Sequence, residues 1–428
     1  MPHGKPQDAT GAFAEWRKGW RSLGAAAIGS ATGLILFSYI VSIFVRPQTE
    51  DLGWTRGEAS LSSFATLFAG LLAPMVGKLS DRWGVRPMIL LGGIGYGAAA
   101  VGLSLQNGNL WLYYGLMFLL VFFGLGTSSI TWARVVSTEF RRTRGLALSV
   151  ALSSVTLTAA LMPIAIALVM ESMGWRGAWL LIGAVGCGGS LIALIALPKK
   201  VCRAPANPVE PAPLAEPQQS SKLGAALRKP AFWCLVLGMG IINIPSGGIM
   251  SSMAALVADK GFGGQSVAQV LSAFAISVFI GRVISGVCLD RFSPPVVAFI
   301  AMGIPAIGCA MLAGESAAVM VVLVGIVLAG MSQGAESDVG PFLVGRYFGL
   351  GSFGAIMGAV NAAVVGGTGV GGIVFGQLFD RYQSYDVALW VGAGCFLFGA
   401  CLFLGVGLSP PLRDSAPDGS GAANQIGV

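Results

Sequence analysis

The stretch GKLSDRWGVRP, residues 77–87, decides the fold because a shorter copy of it, GVCLDRF, begins at Gly286. The two copies align at a constant offset of 209 residues, with Gly77 on Gly286, Asp81 on Asp290 and Arg82 on Arg291. The same offset places Gly145, in the basic segment FRRTRG, on Gly354. Landmarks in register across half the chain indicate two tandem copies of one unit. Each landmark follows a long apolar run, so we predict two sets of membrane helices with a site between them.

Composition supports this prediction independently of the motif. Hydrophobic residues make up 55% of the chain and charged residues only 11%, and the mean hydropathy is +0.77. Soluble proteins carry about a quarter charged residues, so the lipid bilayer is the expected environment. The net charge of +7 is explained by Lys and Arg retained on cytoplasmic loops. We therefore expect no nucleic-acid partner.

Several kinds of site are excluded by residue type. The single histidine, His3, lies in a polar tail, so neither a His-based zinc site nor a catalytic triad is expected. The seven cysteines show no CxxC spacing and are typical of small core residues. The glycine runs GGIGYG (92–97) and GGTGVGG (366–372) lack the Gly-Lys-Ser/Thr ending of a phosphate loop, and helix packing explains them better. We predict no metal, no cofactor and no enzymatic activity.

Twelve apolar stretches are each about the 20 residues that a membrane span requires, and they predict an all-α membrane protein built as two six-helix bundles with pseudo-twofold symmetry. The predicted spans are, approximately, Leu23–Val45, Ala59–Val76, Met88–Leu105, Leu110–Val136, Leu146–Met170, Ala178–Leu197, Phe232–Ala258, Ser266–Leu289, Val296–Leu312, Ala318–Leu343, Gly354–Phe379 and Val387–Leu408. The predicted divisions are a cytoplasmic tail (1–20), an N-terminal bundle (21–197), a Pro-rich cytoplasmic linker (198–230), a C-terminal bundle (231–408) and a cytoplasmic tail (409–428). A short surface helix is expected within the linker, near Ser221–Arg228.

The orientation in the membrane follows from the basic residues of the loops. The side that carries both tails and the even-numbered loops has 19 Lys and Arg, and the other side has five. The excess of positive charge predicts that both termini are cytoplasmic. The polar N-terminal stretch has no small-residue cleavage site before the first apolar run, so it is not a signal peptide. We expect a multi-pass protein of the inner (plasma) membrane.

The repeated motif and the span pattern carry a family resemblance. Twelve spans as six plus six, a long central loop and Gly-xxx-Asp-Arg-x-Gly-x-Arg between spans 2 and 3 resemble the major facilitator superfamily over the whole chain. Within it, the stretch TEDLGWTRGEASLSSFATLFAGLLAPMVGKLSDRWGVRP (49–87), FRRTRG and GRVISGVCLDRF (281–292) resemble the monocarboxylate and oxalate/formate porter branch. The resemblance implies transport between two rocking bundles, with span 7 lining the cavity.

The motif also has a physical rationale. Asp81 lies at the end of span 2, and Arg82 and Arg86 flank a tight turn at Gly84. These charges can bridge helix ends that separate when the bundles rock. The alternative is that they are ordinary charges that set topology, but the duplicated spacing favours gating. The predicted gating residues are Gly77, Asp81, Arg82, Gly84, Arg86, Asp290 and Arg291.

Charges inside predicted spans are the sharpest functional signal, because an ionised group near the bilayer centre costs at least ~2.5–3.5 kcal/mol. Arg282 lies eight residues before Asp290, and so about 12 Å from the end of span 8. Asp338, with Glu336 close by, lies at similar depth in span 10. Arg134 is near enough to the end of span 4 to reach the interface. Arg282 is interpreted either as a site that binds an anion or as the ion-pair partner of Asp338 or Glu336. Both interpretations hold together if the substrate competes with Asp338 for the arginine.

The resemblance adds expectations for these residues. Arg282 matches the arginine of span 8 that binds substrate carboxylate in monocarboxylate and oxalate porters. The sequence departs from the family at Val278, where animal monocarboxylate porters carry Asp, and span 11 contains no lysine. The missing lysine argues against dicarboxylates. The missing Asp leaves Asp338 or Glu336 as candidate proton carriers, since burial disfavours a charged carboxyl group.

Span 7 contains NIPSGG, residues 243–248. Pro245 removes a backbone hydrogen bond, so the segment is either a broken helix lining a cavity or a simple packing kink. Asn243 is a candidate substrate-binding residue, because the family resemblance implies that span 7 lines the cavity.

The sequence as a whole predicts a secondary transporter of a small organic anion, a monocarboxylate, working as a monomer by alternating access, in symport or antiport, with protons as the candidate coupling ion. One alternative is an exporter of a neutral or amphipathic solute, in which Arg282 is structural. Another is a membrane sensor or structural protein, disfavoured because no extra domain or long tail is present to relay a signal.

Overall fold

The computed structural model describes residues 7–128, 131–132, 135–136, 139–140, 143–198, 227–314, 318–348 and 353–407. Every regular element within these residues is a helix. Most of the predicted linker, including most of the predicted surface helix, lies outside the described residues. Arg134 also lies outside them.

In the first half of the chain, eight α-helices have bounds within the described residues, and they follow the order of predicted spans 1–6. They are α1 (Gln7–Thr32), α2 (Leu34–Ile40), α3 (Ser42–Leu52), α4 (Arg56–Ser60), α5 (Phe64–Trp83), α6 (Val85–Ser104), α7 (Leu110–Gly124) and α8 (Arg144–Ala196). Two short 3-10 turns, Leu61–Ser63 and Leu125–Thr127, follow α4 and α7. Helix α1 begins inside the stretch predicted as a polar tail, and the first predicted span is divided among α1, α2 and α3.

The described residues of the second half form six long helices, one for each of predicted spans 7–12. They are α9 (Pro230–Asp259), α10 (Gly264–Arg291), α11 (Pro294–Ala313), α12 (Val319–Phe348), α13 (Phe353–Tyr382) and α14 (Asp386–Val406). Their buried apolar side chains form one continuous core, to which α9 through α14 all contribute.

Local sequence signals explain where several helices end. Gly84, with φ of 84°, makes the predicted tight turn between α5 and α6, in a backbone region that favours glycine. The predicted QNGN turn precedes α7, and the Asn109 side-chain oxygen caps that helix by accepting from Trp111 N at 3.0 Å. Helix α8 contains Gly174 with φ of 66°, so the predicted break at GWRG divides it into two helical segments.

Ten helices within the described residues are long and apolar enough to cross a membrane. One of them, Ser153–Ala196, has 44 residues and contains the break at Gly174. The predicted total of twelve spans, and the symmetry between the two halves, stay predictions.

Helix α9 continues through Pro245 as one helix, so it is not broken at NIPSGG. The Pro245 ring is buried against α14, where a Cβ added to Gly392 would lie 3.0 Å from the proline Cβ. Neighbouring helices can accommodate a proline within a membrane helix. The packing interpretation of this segment is therefore the better one.

Candidate functional site

Two glycines bring α10 and α12 into direct backbone contact. A Cβ added to Gly281 would lie 2.0 Å from Met331 O, and one added to Gly334 would lie 2.0 Å from Val278 O. Such distances leave no room for a side chain, and small residues are what allow membrane helices to approach this closely. The contact places the charged residues that follow these glycines next to one another across the two helices.

The predicted ion pair between Arg282 of α10 and Asp338 of α12 is present. Arg282 Nε lies 3.6 Å from Asp338 Oδ1, and the two side chains are 43% and 35% exposed. This separation exceeds the usual 2.7–3.2 Å of a hydrogen bond, so the pair is loose. A guanidinium has five donors in a planar fork, and this geometry leaves most of them available to an anion.

Tyr39 of α2 brings the first half of the chain to this ion pair. Its ring centroid lies 6.2 Å from that of Phe274 on α10, and the tyrosine is within electrostatic reach of Arg282. The arginine therefore faces the interface between the two halves. Sequence reasoning missed Tyr39, although an aromatic residue with a polar tip inside the apolar run LFSYIV was an available signal.

Glu336, two residues before Asp338 on α12, is almost entirely buried, with 7% exposure. Its Oε1 accepts a hydrogen bond from Asn243 Nδ2 at 2.8 Å, and its Oε2 accepts one from Gln333 Nε2 at 3.3 Å. No basic side chain among the described residues forms an ion pair with it. The buried carboxyl group thus has amide partners and, within the described part of the chain, no counter-ion.

Asn243 is a predicted substrate-binding residue, and both the nitrogen and the oxygen of its side-chain amide form hydrogen bonds. Its Nδ2 also donates to Met239 O at 2.8 Å, and its Oδ1 accepts from Thr368 Oγ1 at 3.2 Å. With 1% exposure, it connects α9, α12 and α13 through one buried polar network. A direct contact with substrate stays a prediction, and it would require these bonds to rearrange. Thr368 was not singled out from the sequence.

The structure describes the surroundings of only some of the predicted gating residues. Arg86 Nη2 donates to Leu197 O at the end of α8, at 2.6 Å, which is a favourable place for a cation. Arg82, Asp290 and Arg291 are exposed, while the burial of Gly77 and of the Asp81 side chain lies outside what the structure describes. Their gating role stays a prediction.

Comparison with known proteins identifies the class. A family profile described as Major Facilitator Superfamily matches residues 23–372. The chain belongs to this superfamily, and it is a multi-pass membrane transporter of that type, as the motif predicted.

Individual relatives are more distant. The chain is 26% identical over 417 residues to Monocarboxylate transporter 11 of Homo sapiens, covering 91% of this chain and 83% of that protein. It is 27% identical over 338 residues to Monocarboxylate transporter 13 of Bos taurus, covering 76% and 74%. The resemblance to monocarboxylate transporters noted in the sequence is therefore confirmed at low identity.

Solved structures share the fold. A mutant of the nucleoside transporter NupG superposes with a TM-score of 0.74 at 13% identity, covering 90% of this chain and 99% of that one. A bacterial homolog of the human lysosomal transporter Spinster superposes with a TM-score of 0.67 at 14% identity, covering 92% and 97%. At this identity the likeness concerns the fold alone.

Proposed function

We propose that this transporter carries a small organic anion, a monocarboxylate, between the two sides of the membrane by alternating access. The observation that supports the proposal is the loose pairing of Arg282 with Asp338 at 3.6 Å, on a surface shared by both halves of the chain. A charged side chain inside a membrane span usually faces a water-filled cavity and marks a substrate or ion path. The low-identity relatives named monocarboxylate transporters point the same way.

The geometry suggests how the anion binds. A carboxylate can occupy both arms of the guanidinium fork, which Asp338 now contacts through one nitrogen only. Substrate and Asp338 then compete for Arg282. Displacement of Asp338 leaves a carboxyl group without its cation inside the membrane, and binding a proton removes that cost. Anion binding and proton binding are coupled in this scheme.

Glu336 is the second candidate proton carrier. An ionised carboxylate that is buried without a counter-ion is costly, even with amide donors. Because Asn243 links Glu336 to α9 and α13, a change in its charge would reach helices that line the proposed path. We propose that the chain works as a monomer with protons as the coupling ion, in symport or antiport.

A monocarboxylate is favoured over a dicarboxylate. The segment of α13 between residues 358 and 376 contains no basic residue, so a second cation that would bind another carboxylate is missing there. One guanidinium fork matches one carboxylate in charge and in number of donors.

A ligand screen on the purified protein tests this function. We expect small monocarboxylates to raise the unfolding temperature, because a ligand at 100 times its Kd stabilises the folded state by about 2.7 kcal/mol. The matched control is the primary amide of each acid, which keeps the shape and removes the charge. Equal stabilisation by amides and acids would contradict the proposal and favour an exporter of neutral solutes, in which Arg282 is structural.

Topology is tested separately. We propose that the protein lies in the plasma membrane with both termini in the cytoplasm. The orientation is supported by the basic residues, of which 19 lie on the side of the tails and five on the other side. A reporter fused after Val428, or inserted near Pro211, is expected to be active only in the cytoplasm. A reporter inserted near Gly108, in the turn before α7, is the matched external control. An external signal from either of the first two positions would overturn the orientation.

A further inference from the structure

Arg56 joins the two halves of the chain at the end of the helices farthest from Asp290. Its guanidinium meets the Asp259 carboxylate at the end of α9 through both arms, with Nη1 bonded to Oδ2 and Nη2 at 2.8 Å from Oδ1. The side chains are 13% and 30% exposed. A two-armed, partly buried pair of this kind is the strong form of an ion pair.

Aromatic rings of the second half hold the same arginine from another direction. Arg56 Cζ lies 3.8 Å from the ring centroid of Phe379 on α13 and 5.4 Å from that of Tyr385, next to α14. Guanidinium groups bind favourably over aromatic faces at these distances. One side chain of the first half is thus held by three residues of the second.

The backbone of α4 makes a further bond across the interface. Gly57 N donates to Asp380 Oδ2 at 2.8 Å, and a Cβ added to Gly57 would lie 2.2 Å from that oxygen. Thr55 and Glu58 cap α4 by bonding each other's backbone nitrogens, so the short helix is rigid where it meets α13. Between described residues, the ion pair and the hydrogen bonds that join the two halves all lie here, at Arg56 and Gly57.

A chamber lies directly beneath these contacts, between the halves. Arg56 and Tyr385 line it together with eight serine and threonine side chains from both halves, which are Ser38, Ser60, Ser62, Ser63, Thr66, Ser251, Ser252 and Thr368. The Tyr385 hydroxyl lies against Arg56 and Ser252, and burial raises its pKa, so it stays protonated. An enclosed space with many hydroxyl groups in its wall is typical of a cavity that holds water or a polar solute.

We propose that Arg56, Asp259 and Asp380 form the outer gate of the transport path, and that the hydroxyl-lined chamber is the part of the path that this gate closes. The proposal rests on the proposed topology, which places the Arg56 end outside the cell. The gate is separate from the predicted gating motif, which lies at the other end of the helices. Opening it requires the Arg56 to Asp259 pair to break, so loss of the pair shifts the population toward the outward-open state.

The test measures access to the chamber. Ser251→Cys places a thiol in the chamber wall. A membrane-impermeant maleimide is applied to right-side-out and to inside-out vesicles that contain this variant. The labelling of the parent protein, which lacks the substitution, is subtracted as background. In the Ser251→Cys protein, Arg56→Gln and Asp259→Asn are each expected to raise the labelling rate from outside by about fivefold or more, through a population shift, and to lower it from inside. The reversed pair, Arg56→Asp with Asp259→Arg, is expected to restore slow labelling.

Arg176→Gln is the matched control, because it breaks an ion pair of 2.9 Å with Asp51 at the same end but inside one half. It should leave labelling unchanged. Unchanged labelling of Arg56→Gln and Asp259→Asn in both vesicle types would overturn the gate, and faster labelling only in inside-out vesicles would overturn its outer position. Carboxylate binding measured on the parent protein does not depend on either labelling outcome, so it reports separately on the proposed substrate. A variant that does not fold is recognised by size-exclusion chromatography, and the other single variant then decides.

Discussion

Arg282→Ala is expected to abolish carboxylate binding and uptake, and Arg282→Lys to weaken binding by about tenfold or more. The reason is that lysine keeps the charge but lacks the two-armed fork, and a hydrogen bond to a charged group is worth about 1.5–3 kcal/mol. Binding is measured by the ligand-induced rise in unfolding temperature, and uptake in proteoliposomes loaded with purified protein.

The matched control for this pair of substitutions is Arg381→Ala. Arg381 is an exposed arginine in the last turn of α13, outside the candidate site. Its removal should leave carboxylate affinity unchanged. Arg282→Ala protein that binds the acid with the parental affinity would contradict a role for this arginine in anion binding.

If Glu336 carries the coupling proton, Glu336→Gln will eliminate accumulation driven by a pH gradient while retaining exchange of substrate across the membrane. Glutamine has nearly the same size and can still accept a hydrogen bond from Asn243, whose Nδ2 lies 2.8 Å from the carboxylate. It cannot carry a proton, however. The measurement compares pH-driven uptake with counterflow in the same proteoliposomes, and we expect pH-driven uptake to fall by about tenfold or more, to the level of empty liposomes.

Asp338→Asn distinguishes the two candidate carriers. If Asp338 rather than Glu336 carries the proton, Asp338→Asn will lose pH-driven accumulation and Glu336→Gln will keep it. Parental accumulation in Glu336→Gln would therefore reject Glu336 as the carrier. A parental protein whose uptake ignores the pH gradient would reject proton coupling itself.

The properties that the sequence predicted well are local or one-dimensional. Turns at Gly84 and Asn109 and the break at Gly174 depend on the conformational preferences of a few neighbouring residues. The depth of a residue along a membrane helix follows from a rise of 1.5 Å per residue, which is why Arg282 and Asp338 could be placed at the same level. Their pairing in the structure confirms that estimate of depth.

The properties that the sequence did not predict depend on which helix faces which. Arg56 and Asp259 are 203 residues apart, and Arg56 was assigned only to a loop. Tyr39 was overlooked because nothing local indicates that its ring meets α10. Asn243 was singled out as a polar residue within a span, but its bonds to Glu336 and Thr368, on two other helices, were not predicted. Depth alone does not define the direction in which a side chain points.

The central claim is that Arg282 binds the substrate carboxylate, and the double variant Arg282→Ala with Asp338→Asn tests it most directly. Arg282→Ala alone leaves the Asp338 carboxylate without its partner, which destabilises the fold, and Asp338→Asn removes that defect. Carboxylate uptake and binding are measured on the double variant after size-exclusion chromatography has shown that it is folded. We predict a folded protein that neither binds nor transports monocarboxylates. A folded double variant that transports them at the parental rate would contradict the claim.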